Sequence, residues 1–210
     1  MSSLKDDPAF DFKLIVTGSH LSPEYGFTYR EIEKDGFKPD FKVEMLLSSD
    51  SSIGIAKSMG LCIIGMADAL DRISPNCIVV LGDRYELLSI CSTALVMKIP
   101  IVHISGGDVT TGAIDNEIRN AISQMADFHF PSTQASAKRL IGMGIPENKI
   151  MVVGEPGLDN FNRLSLLNRE EVAKELGLDP HKKWILLTYH PETKISTPEN
   201  THILQDLIDV

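Results

Sequence analysis

The chain has 210 residues, 43% of them hydrophobic, and a formal net charge of −9 at pH 7. That is enough apolar material for one complete core. The acidic balance excludes a broad nucleic-acid surface and an anionic-membrane surface, but leaves room for a local basic pocket that holds a phosphorylated ligand.

The first segment, "MSSLKDDPAF", lacks the apolar centre of a secretory signal. Short runs rich in Val, Ile and Leu then alternate with segments at helical spacing. The predicted strands are 12–18, 41–47, 77–83, 101–107, 127–132, 150–157 and 184–190. Between the second and third, 51–73 reads as a helix with Ile55, Met59, Cys62, Ile63 and Met66 on its buried stripe. Between the fourth and fifth, 113–126 reads as a helix facing inward with Ile114, Ile118, Ala121, Ile122 and Met125. "NREEVAKELGLDPHKK" (168–183) reads as a polar helix, a Gly stop and a charged turn, and a last helix is expected over roughly 198–210. Every apolar run reads as too short to span a bilayer. Cys62, Cys77 and Cys91 form no CxxC pair and read as reduced core thiols of a cytoplasmic protein.

Strand–helix alternation with strands apolar on both faces predicts an α/β fold: a Rossmann-like parallel sheet with helices on both faces. The expected organisation is 1–165 as the first domain, 166–183 as a linker and 184–210 as the start of a second, truncated domain. One strand and one helix cannot enclose a core, so the chain reads as a fragment that is inactive by itself.

Ligands of open α/β sheets bind beyond the carboxyl ends of the strands. There the sequence places "TGSHLSPEYG", "GDRYE", "HISGGDVTTGAID", "GEPGLDN" and "YHPET". Asp83 fits either a helix cap or a catalytic acid, and Arg84 either a solvated charge or a ligand contact. Asp115 fits either a first-turn acid, ion-paired to Arg119 four residues on, or a member of an acid cluster. His103 and His129 read as core imidazoles, Glu117 as solvated, and Gly106-Gly107 as relief of backbone crowding. No metal-ligand spacing and no GxGxxG fingerprint occurs, so no metal and no redox cofactor is expected.

Taken together, "TGSHLSPEYGFTYREIEKDGF", "VLGDRYELL", "HISGGDVTTGAIDNEIRNAIS", "VGEPGLDN" and "YHPET" resemble the hydrolysing UDP-N-acetylglucosamine 2-epimerases of sialic-acid biosynthesis. The resemblance implies the first domain of a glycosyltransferase-B-like architecture and conversion of UDP-N-acetylglucosamine to N-acetylmannosamine and UDP. It further implies a homo-oligomer, dimer or tetramer, with no nucleic-acid or membrane partner. By matching position, it implies catalytic roles for Asp83, Asp108, Asp115 and His190, and substrate-binding roles for His20, Arg84 and Arg119. Two positions depart from the family pattern: Asp108 stands where a glutamate is usual, and Asn120 where a histidine is frequent.

The implied chemistry has a physical demand that acids can meet. The proton on carbon 2 becomes removable as the bond from the anomeric carbon to UDP lengthens and positive charge builds on the ring. One carboxylate stabilises that charge and another takes the proton. Water then adds to the resulting 2-acetamidoglucal with protonation of carbon 2 from the other face. The same chemistry on UDP-diacetylbacillosamine, and a non-catalytic nucleotide-sugar-binding domain, are the alternatives.

Overall fold

The computed structural model describes residues 1–49, 51–192 and 197–209. Thr193 of the Tyr-His-Pro-Glu-Thr run and Val210 of the last expected helix lie outside the described residues. In chain order, a short helix α1 (Ser2–Asp6) precedes strand β1 (Ile15–Thr17), helix α2 (Tyr29–Lys34) and strand β2 (Phe41–Val43). Helix α3 (Ser52–Ile73), strand β3 (Ile78–Leu81), helix α4 (Tyr85–Val96) and strand β4 (Ile101–Ile104) follow. Helix α5 (Asp115–Met125), strand β5 (Phe128–Phe130) and helix α6 (Gln134–Gly142) complete the alternation. Beyond them lie α7 (Asn160–Arg163), α8 (Arg169–Leu176) and α9 (Thr197–Ile208).

All strand pairing is parallel. β1 pairs with β2, and β3, β4 and β5 form a second sheet in that order. The expected strand at 150–157 extends this sheet in part: Ile150 bridges His129, and the Met151 and Val153 amides donate to the carbonyls of His129 and Pro131 at 2.9 and 3.1 Å. Helices cover the sheets, and the core joins Val43, Met66, Leu70, Val80, Cys91, Ile101 and Ile122. The α/β architecture is therefore the one the alternation predicts.

α3 has the length and apolar composition of a membrane span, contrary to the expectation that no run is long enough. It packs on β2 and α4 through small side chains. A methyl at Gly65 would sit 2.7 Å from Val43 Cγ1. This close approach rotates the buried stripe to Gly54, Ser58, Cys62, Met66, Ala69 and Leu70, and leaves the expected core residue Ile63 exposed beside Leu61 and Ile64. Cys62 and Cys91 are buried, which pushes their thiols up to about 11 and about 12. Cys77 is exposed, which corrects its reading as a core thiol. It precedes β3 and lies just outside the shielded ladder.

The expected helix at 168–183 is seen as α8, opened by a reciprocal capping box between Asn168 and Glu171 and closed by Gly177 in the left-handed region. The expected buried strand at 184–190 is not seen. Ile185 and Leu186 are 92% and 94% exposed, and no strand among the described residues pairs with this segment. Its apolar pattern has no neighbouring ladder to satisfy the backbone. What holds it instead is Trp184, whose ring lies 4.0 Å from the Arg169 guanidinium and whose indole N–H donates to the Asp179 carbonyl at 2.9 Å.

Candidate active site

The site is assembled at the carboxyl ends of β3 and β4. β3 ends in Gly82, whose φ of +87° turns the chain and lets Asp83 and Arg84 lead into α4. His103 on β4 lies beneath this turn, fully buried. Its Nε2 is 2.8 Å from the Gly82 carbonyl and its Nδ1 3.1 Å from Ser123 Oγ. A carbonyl only accepts, so Nε2 carries the proton and the Ser123 hydroxyl donates to Nδ1. Burial pulls the His103 pKa down to about 4, so the ring is neutral and acts as a fixed strut. Gly106 packs closely beside it: a methyl there would lie 3.0 Å from both His103 Nδ1 and Ser123 Oγ, so these side chains would have to give by a few tenths of an ångström. The reading of His103 as a hydrogen-bonded core imidazole agrees with this geometry.

Asp83 does not cap α4; Arg84 is its N-cap residue and no side chain caps it. Asp83 accepts an ion-paired hydrogen bond from Arg119 of α5. This corrects the expected Asp115–Arg119 pair. Arg119 is buried on the sheet-facing side of its helix, where Asp83 and not Asp115 meets its guanidinium, and its other terminal nitrogen donates to Thr110 Oγ1 at 3.0 Å. Desolvation pushes the Asp83 carboxyl up; Arg119 opposes that shift and the nearby Asp115 charge adds to it. Arg84 is tied back to Glu86 at 3.1 Å, and Glu86 is itself buried against Gly18.

A cavity of about 410 Å³ opens at this point. Asp83 and Arg84 line it from the turn after β3, Thr110, Thr111 and Ala113 from the loop after β4, Asp115 from the start of α5, and His190, Pro191 and Glu192 from the segment before α9. Four of the expected site residues thus meet: Asp83, Arg84, Asp115 and His190. Arg119 stands behind Asp83 and supports it.

Two do not join them. Asp108 is drawn toward α6, where it accepts from the Ser136 hydroxyl, and the Gly107 carbonyl beside it is held by Arg139 at 2.9 Å. Its short side chain does not line the cavity. His20 is exposed near β1, with Nδ1 2.8 Å from Thr28 Oγ1, and is also outside it. Glu117 is exposed, as expected. Sequence reasoning gave no role to Glu86, which holds Arg84, or to Glu192, which lines the cavity. Both lie inside quoted motifs, and the signal was their adjacency to Arg84 and His190. Among the described residues, no group of three or more His, Cys, Asp or Glu side chains is arranged to hold a metal ion. What the cavity offers is acid–base chemistry: three carboxyl groups, from Asp83, Asp115 and Glu192, and cationic or imidazole groups able to contact an anionic leaving group.

The sequence profile of the family described as UDP-N-acetylglucosamine 2-epimerase matches residues 2–210. A Campylobacter jejuni protein named GDP/UDP-N,N'-diacetylbacillosamine 2-epimerase (hydrolyzing) is 41% identical over 190 residues, 90% of this chain and 49% of that protein. The polysialic acid biosynthesis protein P7 of Escherichia coli is 32% identical, over 97% of this chain and 52% of its own length. The chain spans about half the length of these curated relatives. Among solved structures, the UDP-GlcNAc 2-epimerase of Neisseria meningitidis, bound to UDP-GlcNAc, superposes with a TM-score of 0.69 at 21% identity, over 82% of this chain and 44% of that one. The likeness places the parallel sheets and helices described above in the glycosyltransferase-B-like fold of those enzymes. By profile and by fold, the chain belongs to the UDP-N-acetylglucosamine 2-epimerase family.

Proposed function

We propose that this chain carries the sugar-facing acids of a hydrolysing 2-epimerase that converts UDP-N-acetylglucosamine to N-acetylmannosamine and UDP. The observation that carries the reading is that Asp83 and Arg84 after β3, Asp115 on α5 and His190 of a third segment line one cavity. Asp115 or Asp83 takes the proton from carbon 2 as UDP departs, and the other carboxyl group faces the developing ring charge. His190 and Arg84 meet the diphosphate. Asp108 acts on the loop through Ser136. In this reading 1–165 is the first Rossmann-like unit, 166–183 a linker and 184–210 part of a second unit. The enzyme is cytoplasmic and works as a homo-oligomer, whose size sedimentation velocity measures.

A second substrate is favoured by one observation. The relatives named as diacetylbacillosamine 2-epimerases are 41% and 36% identical to the chain, whereas the Neisseria meningitidis protein named UDP-N-acetylglucosamine 2-epimerase is 27% identical. The same acids serve either sugar, because the reacting carbons are the same.

The test uses the native gene product in deuterium oxide, with each nucleotide sugar in turn. Elimination followed by water addition gives a 2-epimerised free sugar carrying deuterium at carbon 2, with its anomeric oxygen taken from water. A proton retained at carbon 2 of a correctly epimerised product overturns the mechanism. Binding without UDP release points to a non-catalytic module.

A further inference from the structure

The stereochemistry of the proposed reaction asks for acid–base groups on both faces of the sugar ring. In an α-linked gluco-configured sugar, the hydrogen on carbon 2 and the departing nucleotide lie on opposite faces of the ring. In the manno-configured product, the new hydrogen lies on the face that the nucleotide left. Two groups must therefore serve carbon 2, one on each face. Asp83 and Asp115 line the cavity from the turn after β3 and from the start of α5.

Glu192 lines the same cavity from a separate segment, two residues beyond His190. Its position is built. Asn200 of α9 accepts from the Glu192 amide at 2.9 Å, donates to the Glu192 carbonyl at 2.9 Å and accepts from the Tyr189 hydroxyl at 2.8 Å. Asn200 is itself buried. These bonds clamp both ends of the Tyr-His-Pro-Glu run, so His190 and Glu192 are presented together. The carboxyl group of Glu192 reaches over Gly112, at φ +78°, where any β-carbon would collide with it. The loop from β4 to α5 thus leaves a seat for this carboxyl group in the cavity.

Resting on the proposed epimerase reading, we propose that Glu192 is a catalytic residue: the acid that returns a proton to carbon 2 on the face vacated by the nucleotide. In the first half-reaction the C2–H bond breaks and its electron pair becomes the C1=C2 double bond. The bond from C1 to the nucleotide oxygen breaks with its pair leaving on UDP, and the proton goes to Asp83 or Asp115. In the second half the Glu192 O–H bond breaks and the double-bond pair takes that proton at C2. A water oxygen bonds to C1, and the water's proton passes to the Glu192 carboxylate, which is thereby restored as an acid. The aspartyl proton is lost to solvent.

The test separates the two halves. In the native gene product, Glu192→Gln is expected to release UDP within about threefold of the parent rate. Formation of the epimerised sugar should fall by about 10²–10⁴, the range for loss of a general acid, and 2-acetamidoglucal (or its diacetylbacillosamine counterpart) should accumulate in the proton NMR spectrum. Glu192→Asp should restore part of the second half. Glu192 is exposed, so an unchanged thermal midpoint is expected to accompany the loss. Equal loss of UDP release and sugar formation, or no accumulation of the unsaturated sugar, overturns the assignment. If the parent epimerises and Glu192→Gln does so at the same rate, the Glu192 role falls and the epimerase reading stands. If the parent releases no UDP from either nucleotide sugar, the epimerase reading itself falls.

Discussion

Asp83 is held by opposing forces. Burial favours its neutral form, Arg119 favours its charge, and Asp115 penalises a second charge nearby. A carboxyl group balanced in this way changes protonation at low cost, which proton exchange at carbon requires. Asp83→Asn and Asp115→Asn are each expected to lower turnover by about 10²–10⁴ with folding retained, since the amide is nearly isosteric. Glu117→Gln is the control, because its carboxyl group is exposed and outside the cavity. Steady-state rates of the native gene product and its variants decide this. A Glu117→Gln loss as large as the other two would show that the wrong face of α5 has been assigned. Asp108 accepts from the Ser136 hydroxyl and is not among the residues that line the cavity, so its expected role and its position in the structure differ.

At the scale of elements, the loop from β4 to α5 is shaped by what cannot fit in it. Gly107 has φ +78°, and a β-carbon there would run into the backbone of Ser136 at the start of α6. Neither strain nor collision can be relieved by a side-chain rotation. Gly107→Ala is therefore expected to destabilise the protein by more than about 1 kcal/mol, which denaturant unfolding would measure. A change below a few tenths of a kcal/mol would mean that the loop and α6 are free to separate. Both glycines of the Gly106-Gly107 pair were read from the sequence as relief of crowding. The structure adds that the two are crowded by different partners, Gly106 by His103 and Ser123, and Gly107 by α6.

For the whole molecule, the buried strut under the site ties stability to pH. The His103 pKa falls from 6.5 in a free chain to about 4 in the fold, so the unfolded state takes up this proton first. The stability it confers is complete above about pH 6.5 and is lost as pH falls from there toward 4. By pH 5 the loss is about 2 kcal/mol. His129, also lowered by burial, works in the same direction, while Asp83, raised by burial, works in the opposite one. Comparison of parent with His103→Asn isolates the histidine: the drop in unfolding free energy between pH 7 and pH 5 should shrink in the variant. An equal drop in both would show that the His103 ring is not the group that resists protonation.

By itself the sequence determined the alternation of strands and helices, the parallel pairing, and the segments at the ends of the predicted strands from which Asp83, Arg84, Asp115 and His190 line one cavity. These follow from local pattern: β-branched runs, helical spacing, and polar groups placed after each strand. The Gly177 stop was legible for the same reason, whereas the Asn168–Glu171 capping box emerged with the structure. The tertiary structure decided everything that depends on which distant surface an element meets. It rotated the buried stripe of α3 through the close approach of Gly65 to Val43. It gave Arg119 to Asp83 in place of Asp115, left 184–190 without a sheet partner among the described residues, and set Asp108 on α6 while bringing Glu192 into the cavity. Charge pairing and side-chain reach are fixed by distances of a few ångströms between residues far apart in the chain, and a linear spacing does not encode those distances.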